Sequence, residues 1–362
     1  MMLAIGLMSG TSLDGIDAAL IDTDGEGDTR LIAFRGEAYS DAARAELAAA
    51  TALALSFDRP RASPPIVAAA DLITRTHVLA VHKLLAQAER VAGDIGVIGF
   101  HGQTIAHRPD RGWTWQIGDG AALAKATGIT TVSDMRSADV ASGGQGAPLL
   151  PVYHAALVAD LPKPVAVLNL GGVGNITYIG GDGALVAFDT GPANGLIDSW
   201  VESEVGARFD AGGALAARGR VDEAVLTAML DHPYFMAAPP KSLDRNDFTI
   251  QPARGLATAD GAATLTAFTA ATIAEAIDRL PTRPRRLLVV GGGRHNPTML
   301  AMIAARTGLT PEPADAIGWN ADSIEAEGWA YMAVRALKGL PISFPGTTGA
   351  PHPMTGGTID RV

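Results

Sequence analysis

Two short apolar runs open the chain, Leu3 to Leu7 and Ile16 to Ile21. Between them lie Ser9, Gly10, Thr11, Ser12 and then Asp14-Gly15. Apolar strand, small polar tip, apolar strand predicts a β-hairpin, with a weaker third strand near Leu31 to Phe34. Ser40 is placed to cap a helix over Asp41 to Leu55. After the Pro-rich break Arg59 to Pro65, a long helix runs to about Val91, with Ile66, Ala69, Ile73, Ala80 and Leu84 on its buried face. Ile95 to Phe100 is a short strand running into a polar HGQTIAHRP segment, His101 to Pro109. A strand edge follows at Trp113 to Ile117, then a helix ending at Gly128, a strand at Ile129 to Val132, and a polar, Gly-rich loop from Ser133 to Pro148. A helix from about Leu149 to Ala159 closes this half.

The second half opens the same way. Val165 to Asp189 predicts strand, Gly/Asn tip, strand, Gly-rich turn and strand. A helix runs to about Val205, and two more lie near Gly213 to Arg218 and Asp222 to Leu230. Pro239 to Phe248 is a polar loop. Asp260 is placed to cap a long helix to Leu280. Leu287 to Val290 is a strand leading into GGGRHN and a helix with Pro297 in its first turn. Asp322 is expected to start the last long helix, to about Leu337, and a Gly/Pro-rich tail to wind over the surface. The recurring hairpin pattern argues for two α/β domains, and the bounds expected for them are 1–160 with 319–362 and 161–318.

Composition narrows the classes. The chain has 362 residues, 48% hydrophobic and 18% charged, which suits globular α/β material. A net charge of −10 without any Lys/Arg cluster argues against nucleic acid or an anionic membrane as partner. There are no cysteines, so disulfides, thiolate zinc sites and Cys nucleophiles are excluded. No basic residue precedes Arg30 and no apolar run is long enough to span a bilayer, so a cytoplasmic protein is expected.

The hairpin tips carry the candidate chemistry. Glycines admit a ligand close to the backbone, and N–H and hydroxyl groups can hydrogen-bond phosphate. Asp14 and Asp17 beside a polyphosphate would repel it without an intervening cation, which points to Mg²⁺, with its ligands unknown. GGGRHNP, between a strand and a helix, suits a phosphate or a flat ligand; a plain βα turn is the competing role. A Gly-Lys Walker A loop, a complete G-x-G-x-x-G fingerprint, the protein-kinase motif set, a G-x-S-x-G elbow and zinc-type His spacing are all absent. Asp189, ending an apolar strand before Thr190-Gly191-Pro192, is the best candidate for a general base; capping of that turn competes with it. Arg136 suits an anionic substrate group or a surface ion pair. Glu325 and Glu327, opening the last helix, suit its dipole.

These motifs together resemble one family. MSGTSLDGID (Met8 to Asp17), HGQT (His101 to Thr104), WQIGD (Trp115 to Asp119), ASGGQGAPL (Ala141 to Leu149), NLGGVGNIT (Asn169 to Thr177), FDTGP (Phe188 to Pro192), PKS (Pro240 to Ser242) and GGGRHNP (Gly291 to Pro297) are similar to anhydro-N-acetylmuramic acid kinases, in the family's order. The resemblance implies a two-domain actin-like ATPase fold, ribonuclease H-like in each half, around an interdomain cleft. It implies ATP and Mg²⁺ as cofactors and an anhydro amino sugar as substrate. Water opens the 1,6-anhydro ring and the freed O6 takes the γ-phosphoryl group, giving N-acetylmuramic acid 6-phosphate in cell-wall recycling. A homodimer is implied too. Carried onto this chain, Gly10, Thr11, Ser12, Leu13, Asp14, Gly15, Ile16 and Asp17 form the first ATP-phosphate turn. Gly171, Gly172 and Asn175 form the second, and Gly291, Gly292 and Gly293 the adenosine side. Asp189 activates the water. Thr104 and Arg136 contact the sugar, and Glu325 joins them as a second candidate catalytic carboxylate. The chain departs from the family's pattern at Met135, Ser137 and Ala138, where further arginines are usual, and at Gly120 and Ala193. Those departures leave another anhydro sugar of the levoglucosan type as an alternative; a non-enzymatic ATP-regulated actin/Hsp70-like protein is the other.

Overall fold

The computed structural model describes residues 1–243 and 247–362. The chain divides into two compact units, residues 1–159 with 323–362, and residues 160–322.

In the first unit, β1 (Met2–Ser9), β2 (Gly15–Thr23) and β3 (Thr29–Ala38) form an antiparallel meander. β4 (Val97–Arg108) lies parallel to β1, and β6 (Thr131–Ser133) parallel to β4, while β5 (Trp113–Ile117) folds back on β4. Among the described residues the sheet order is β3-β2-β1-β4-β6, with the short strand Thr358–Asp360 beyond β6. In the second unit, β7 (Val165–Leu170), β8 (Val173–Ile179) and β9 (Leu185–Pro192) form another meander. β10 (Arg286–Val290) runs parallel to β7 and β11 (Pro311–Pro313) parallel to β10. The order β9-β8-β7-β10-β11 repeats the first sheet with the same strand directions. Two ribonuclease H-like units in one chain define the actin-like ATPase fold class.

Helices cover the sheets because the strands are apolar on both faces. In the first unit Ile5, Leu7, Leu20, Ile98 and Phe100 pack with Leu47, Ile73 and Leu84 from the helices Asp41–Leu55 and Pro64–Gln87. The helix Ile324–Leu337 packs far closer. A Cβ on Gly6 would lie 1.7 Å from the carbonyl oxygen of Ala326, and one on Gly99 would lie 2.0 Å from that of Trp329. Helix backbone therefore rests directly on β1 and β4. In the second unit the helix Thr258–Asp278 is buried along most of its length. Its interior hydroxyls are satisfied locally, Thr264 and Thr266 donating to the carbonyls of Asp260 and Ala262.

Several elements depart from the expected pattern. His101 to Arg108 is strand, not loop: the backbone of Gln103 to Arg108 is paired along β5, and the polar side chains find partners instead of solvent. The second helix stops at Gln87, short of Val91, because Glu89 turns left-handed (φ +53°) and Arg90 N–H returns to the Leu85 carbonyl. Asp260 lies inside the first turn of its helix and accepts the Arg220 N–H at 2.7 Å instead of capping. Residues 211–218 hold only short 3₁₀ turns. The last long helix starts at Ile324, and Asp322 is drawn to Arg294 at 2.8 Å. Glu327 does not serve the helix dipole in solvent: it is 5% exposed and accepts hydroxyl protons from Tyr153 and Ser323. The tail is structural, with Ser343, Thr347 and Thr348 buried. The polar loop expected over Pro239 to Phe248 lies partly outside the described residues, at 244–246.

Gly6→Ala should force helix and strand apart and destabilise the first unit by roughly 3 kcal/mol. Gly27→Ala, whose Cβ would meet nothing within 4 Å, should change stability by less than about 0.5 kcal/mol. Urea midpoints of the two variants check the difference.

Candidate active site

The first turn is held from below. Ser9 Oγ donates to the Gly102 carbonyl at 2.9 Å, and Gln103 Nε2 donates to that of Gly10 at 3.0 Å. Leu13 N–H closes the turn on Gly10 O, and Leu13 adopts φ +56°, a left-handed conformation uncommon outside glycine. Thr11 and Ser12 are exposed at the tip, and Ser12 Oγ donates to Asp14 Oδ1 at 2.9 Å. Gly15 is required for space: a Cβ there would lie 2.3 Å from the Glu37 carbonyl oxygen. Ile16 points into the core, 3% exposed, and Asp17 pairs across the hairpin with Met8. The turn thus offers backbone, two hydroxyls and Asp14; Ile16 contributes packing.

Arg136 is gripped on three sides within the same unit. Its Nε donates to His101 Nε2 at 3.2 Å, its Nη1 donates to the Gly146 carbonyl at 2.7 Å, and its Cζ lies 5.0 Å from the Trp329 ring centroid. The His101 ring itself stacks on Trp329, centroids 4.5 Å apart. Burial, reinforced by Arg136, holds His101 well below its usual pKa, so the ring is neutral; accepting at Nε2 places its proton on Nδ1. Burial also lowers the guanidinium to about 10, with Glu325 and Asp139 opposing, which leaves it a cation at neutral pH. Among the described residues Nη2 makes no hydrogen bond. Glu325 keeps an exposed side chain, yet desolvation lifts its carboxyl above the usual range while Arg136 pulls it down. Thr104 Oγ1 accepts from Gln116 Nε2 at 3.1 Å. That amide and His107 Nδ1 also meet Thr114 Oγ1, both at 2.9 Å.

In the second unit, the helix Asn194–Val205 holds the turn between β7 and β8. Asn194 N–H donates to Gly171 O at 2.9 Å, the N–H groups of Ala193 and Gly195 donate to Gly172 O, and Asn194 Nδ2 reaches Leu170 O at 2.8 Å. A Cβ on Gly172 or Gly292 would meet nothing within 4 Å, so both face open space. Gly291 (φ +77°) and Gly293 fit against Leu170, where a Cβ would lie 2.8 and 2.6 Å from its atoms. Arg294, 7% exposed, secures that turn by donating to Gly291 O and pairing with Asp315 and Asp322. A cavity of about 330 Å³ opens beside Gly292, lined by Asn194, Ile197, Phe209 and Asn296.

Asp189 stands directly opposite Asn175 in the β8–β9 ladder, one strand from the second turn. Its N–H donates to the Lys241 carbonyl at 3.0 Å, its carbonyl accepts from Tyr234 Oη at 2.6 Å, and its Oδ2 accepts from Leu243 N–H at 2.8 Å. Lys241 closes the ring by donating to Tyr234 O at 2.8 Å. Burial raises the carboxyl to about 7, only partly offset by the Leu243 N–H. The capping role considered from sequence is not what the carboxylate does; it is fixed by the loop around PKS.

Sequence reasoning missed Trp329, Gln103, Asn194, Tyr234 and Asp139. Asn194, immediately after FDTGPA at a helix start, carried the one readable signal.

The raised carboxyl sets a stability test. A folded-state value above the unfolded one gives stability that is present at low pH and lost as pH rises toward about 7. Asp189→Asn should therefore gain Tm over the wild type at pH 8, with the gain shrinking toward pH 5; calorimetry across that range checks it.

The anhydro-N-acetylmuramic acid kinase family model matches residues 2–361. The chain is 69% identical over 361 residues to the anhydro-N-acetylmuramic acid kinase of Rhizorhabdus wittichii, covering 99% of both chains. It is 52% identical over 365 residues to that of Zymomonas mobilis, covering 100% of both. Among solved structures it is similar to the activator of the 2-hydroxyisocaproyl-CoA dehydratase from Clostridium difficile with bound ADPNP, at 12% identity, TM-score 0.47, covering 93% of this chain and 96% of that one. The chain belongs to the anhydro-N-acetylmuramic acid kinase family.

Proposed function

We propose that this protein is an ATP-dependent kinase that hydrolytically opens 1,6-anhydro-N-acetylmuramic acid and phosphorylates its O6, serving cell-wall recycling in the cytoplasm. Family membership over the whole chain supports the activity. The observation that carries the assignment of the base is Asp189: a carboxylate beside the second glycine turn, fixed on both sides of its backbone and raised to about 7. A base titrating near the working pH balances availability against proton affinity.

Asp189 accepts a proton from water as the water oxygen bonds to the anomeric carbon. The C1–O6 bond of the bridge breaks, and the electron pair leaves on O6. O6 then bonds to the γ-phosphorus, the β–γ bridge bond breaks, and ADP departs. No covalent enzyme intermediate is required; the protein supplies position and charge. We assign the phosphates to the Gly10–Asp17 turn and to Gly171, Gly172 and Asn175. The adenosine goes to Gly291, Gly292 and Gly293, where the cavity bordered by Phe209 suits a flat base. Arg136 takes the lactyl carboxylate through its unpaired Nη2, and Thr104 and Glu325 contact the sugar.

Among the described residues no group of three or more His, Asp or Glu side chains is placed to hold a metal. Mg²⁺ keeps waters and binds mainly through substrate phosphates with one or two carboxylates, and we take Asp14 at the tip as the candidate. The ion would neutralise phosphate charge there. Among the described residues no helix is long and apolar enough to cross a membrane. A homodimer, as the resemblance implies, is read by sedimentation.

A coupled ADP assay tests the reading. ADP release should require 1,6-anhydro-N-acetylmuramic acid, and kcat/KM should rise with pH through about 7 as Asp189 ionises. Asp189→Asn should lose about 10³-fold in kcat with little change in KM for ATP. Faster turnover on levoglucosan would move the substrate to another anhydro sugar, and slow ATP hydrolysis indifferent to sugar would favour the actin/Hsp70-like alternative.

A further inference from the structure

A second buried carboxylate lies behind the sugar-side arginine and takes no part in the steps above. Asp139 is 2% exposed, on the short helix Ser137–Ala141. Its Oδ1 accepts from Gly146 N–H at 2.6 Å, and its Oδ2 accepts from Ser343 Oγ at 2.5 Å and Thr348 Oγ1 at 2.6 Å. Three short donors on one buried carboxylate make a rigid joint, because charge-assisted bonds are strong and directional. The loop wraps tightly around it: a Cβ on Gly144 would lie 2.2 Å from Asp139 Oδ1, and Gly146 takes φ +66°. Gln145 N–H donates to the Thr348 carbonyl at 2.6 Å, adding a backbone tie to the same tail.

The joint has one outlet toward the site. Gly146 donates its N–H to Asp139, and its own carbonyl accepts from Arg136 Nη1 at 2.7 Å. With Nε held by His101 and the guanidinium lying over Trp329, fixing the Gly146 carbonyl leaves Nη2 one direction to point. We infer that Asp139 is a positioning residue for recognition of the substrate's carboxylate: clamped by Ser343 and Thr348 of the C-terminal tail, it sets the Gly146 carbonyl that aims Arg136. The inference rests on the reading that Arg136 binds the lactyl carboxylate. It makes the tail, more than 200 residues further along the chain, part of substrate specificity.

The test is steady-state kinetics of the full chain on 1,6-anhydro-N-acetylmuramic acid and on the same sugar with its lactyl group converted to the primary amide. Asp139→Ala should raise KM for the acid about tenfold, leave KM for the amide and for ATP within about twofold, and change kcat little. Asp139→Asn, which can still accept from Gly146, should fall between. A merely structural role would raise KM for both sugars and for ATP alike, and equal effects on acid and amide overturn the inference. If Asp139→Ala does not fold, Ser343→Ala with Thr348→Val removes two donors and should weaken acid-over-amide discrimination; unchanged discrimination in that folded variant overturns the inference equally. Arg136→Met separates the two layers. If it keeps the discrimination, the carboxylate reading falls and takes the inference with it. If it abolishes the discrimination while the Asp139 and tail variants keep it, the positioning inference alone falls.

Discussion

The packing of the first unit around Arg136 depends on two missing side chains. Gly6 and Gly99 let the backbone of the helix Ile324–Leu337 lie on β1 and β4 at a separation no Cβ would permit. That contact sets the height of the helix, and the helix carries Glu325 and Trp329. Trp329 sits with its carbonyl against Gly99 while its ring stacks on His101, two residues further along β4. Its indole Nε1 also donates to Met8 Sδ at 3.1 Å, just before the first turn. Helix height, ring position and the orientation of Arg136 are therefore one geometric quantity, which close packing transmits because interiors have little slack.

The two units share one topology but secure their glycine turns by different means. In the first, side chains on the neighbouring parallel strand do it, Gln103 holding the Gly10 carbonyl from β4. In the second, the start of the helix Asn194–Val205 captures the carbonyls of Gly171 and Gly172. A trans peptide points its N–H opposite to its C=O. Turning the Gly171 carbonyl to the helix therefore directs the Gly172 N–H away from it, on a residue whose Cα faces open space. The helix N-terminus spends its own donors on the turn and leaves the Gly172 N–H turned away from it.

Much of this was legible because apolar runs and small-residue tips are local signals. Both hairpins, the Asn194–Val205 helix and the strand before GGGRHN emerge from spacing alone. What stayed hidden depends on partners distant in sequence. The second half of β4 is hidden because His101 and Gln103 look like loop residues; their polarity is met by Arg136 and by the first turn. Asp260 has the composition of a cap, yet a backbone N–H 40 residues away claims it. The tail's Gly/Pro content suggested a surface strap, and nothing local marks Ser343 and Thr348 as the partners of Asp139. Glu89 in a left-handed helix stop is a conformation that sequence assigns to glycine or asparagine first.

Asp139 and Asp189 show how one side chain is turned to two ends by counting donors. Asp139 receives an N–H and two hydroxyls, one on Oδ1 and two on Oδ2, so three of its roughly four lone-pair sites are occupied and its work is mechanical. Among the described residues Asp189 receives a single N–H on its carboxylate, from Leu243, and its remaining grip is on the main chain, through Lys241 O and Tyr234 Oη. Holding the backbone fixes direction without filling the carboxylate. Burial then acts on a group left short of donors, and the carboxyl rises to about 7. A set direction and open lone pairs coexist on this carboxylate because Lys241 O and Tyr234 Oη bind the peptide groups of Asp189 and leave its side chain to Leu243 N–H.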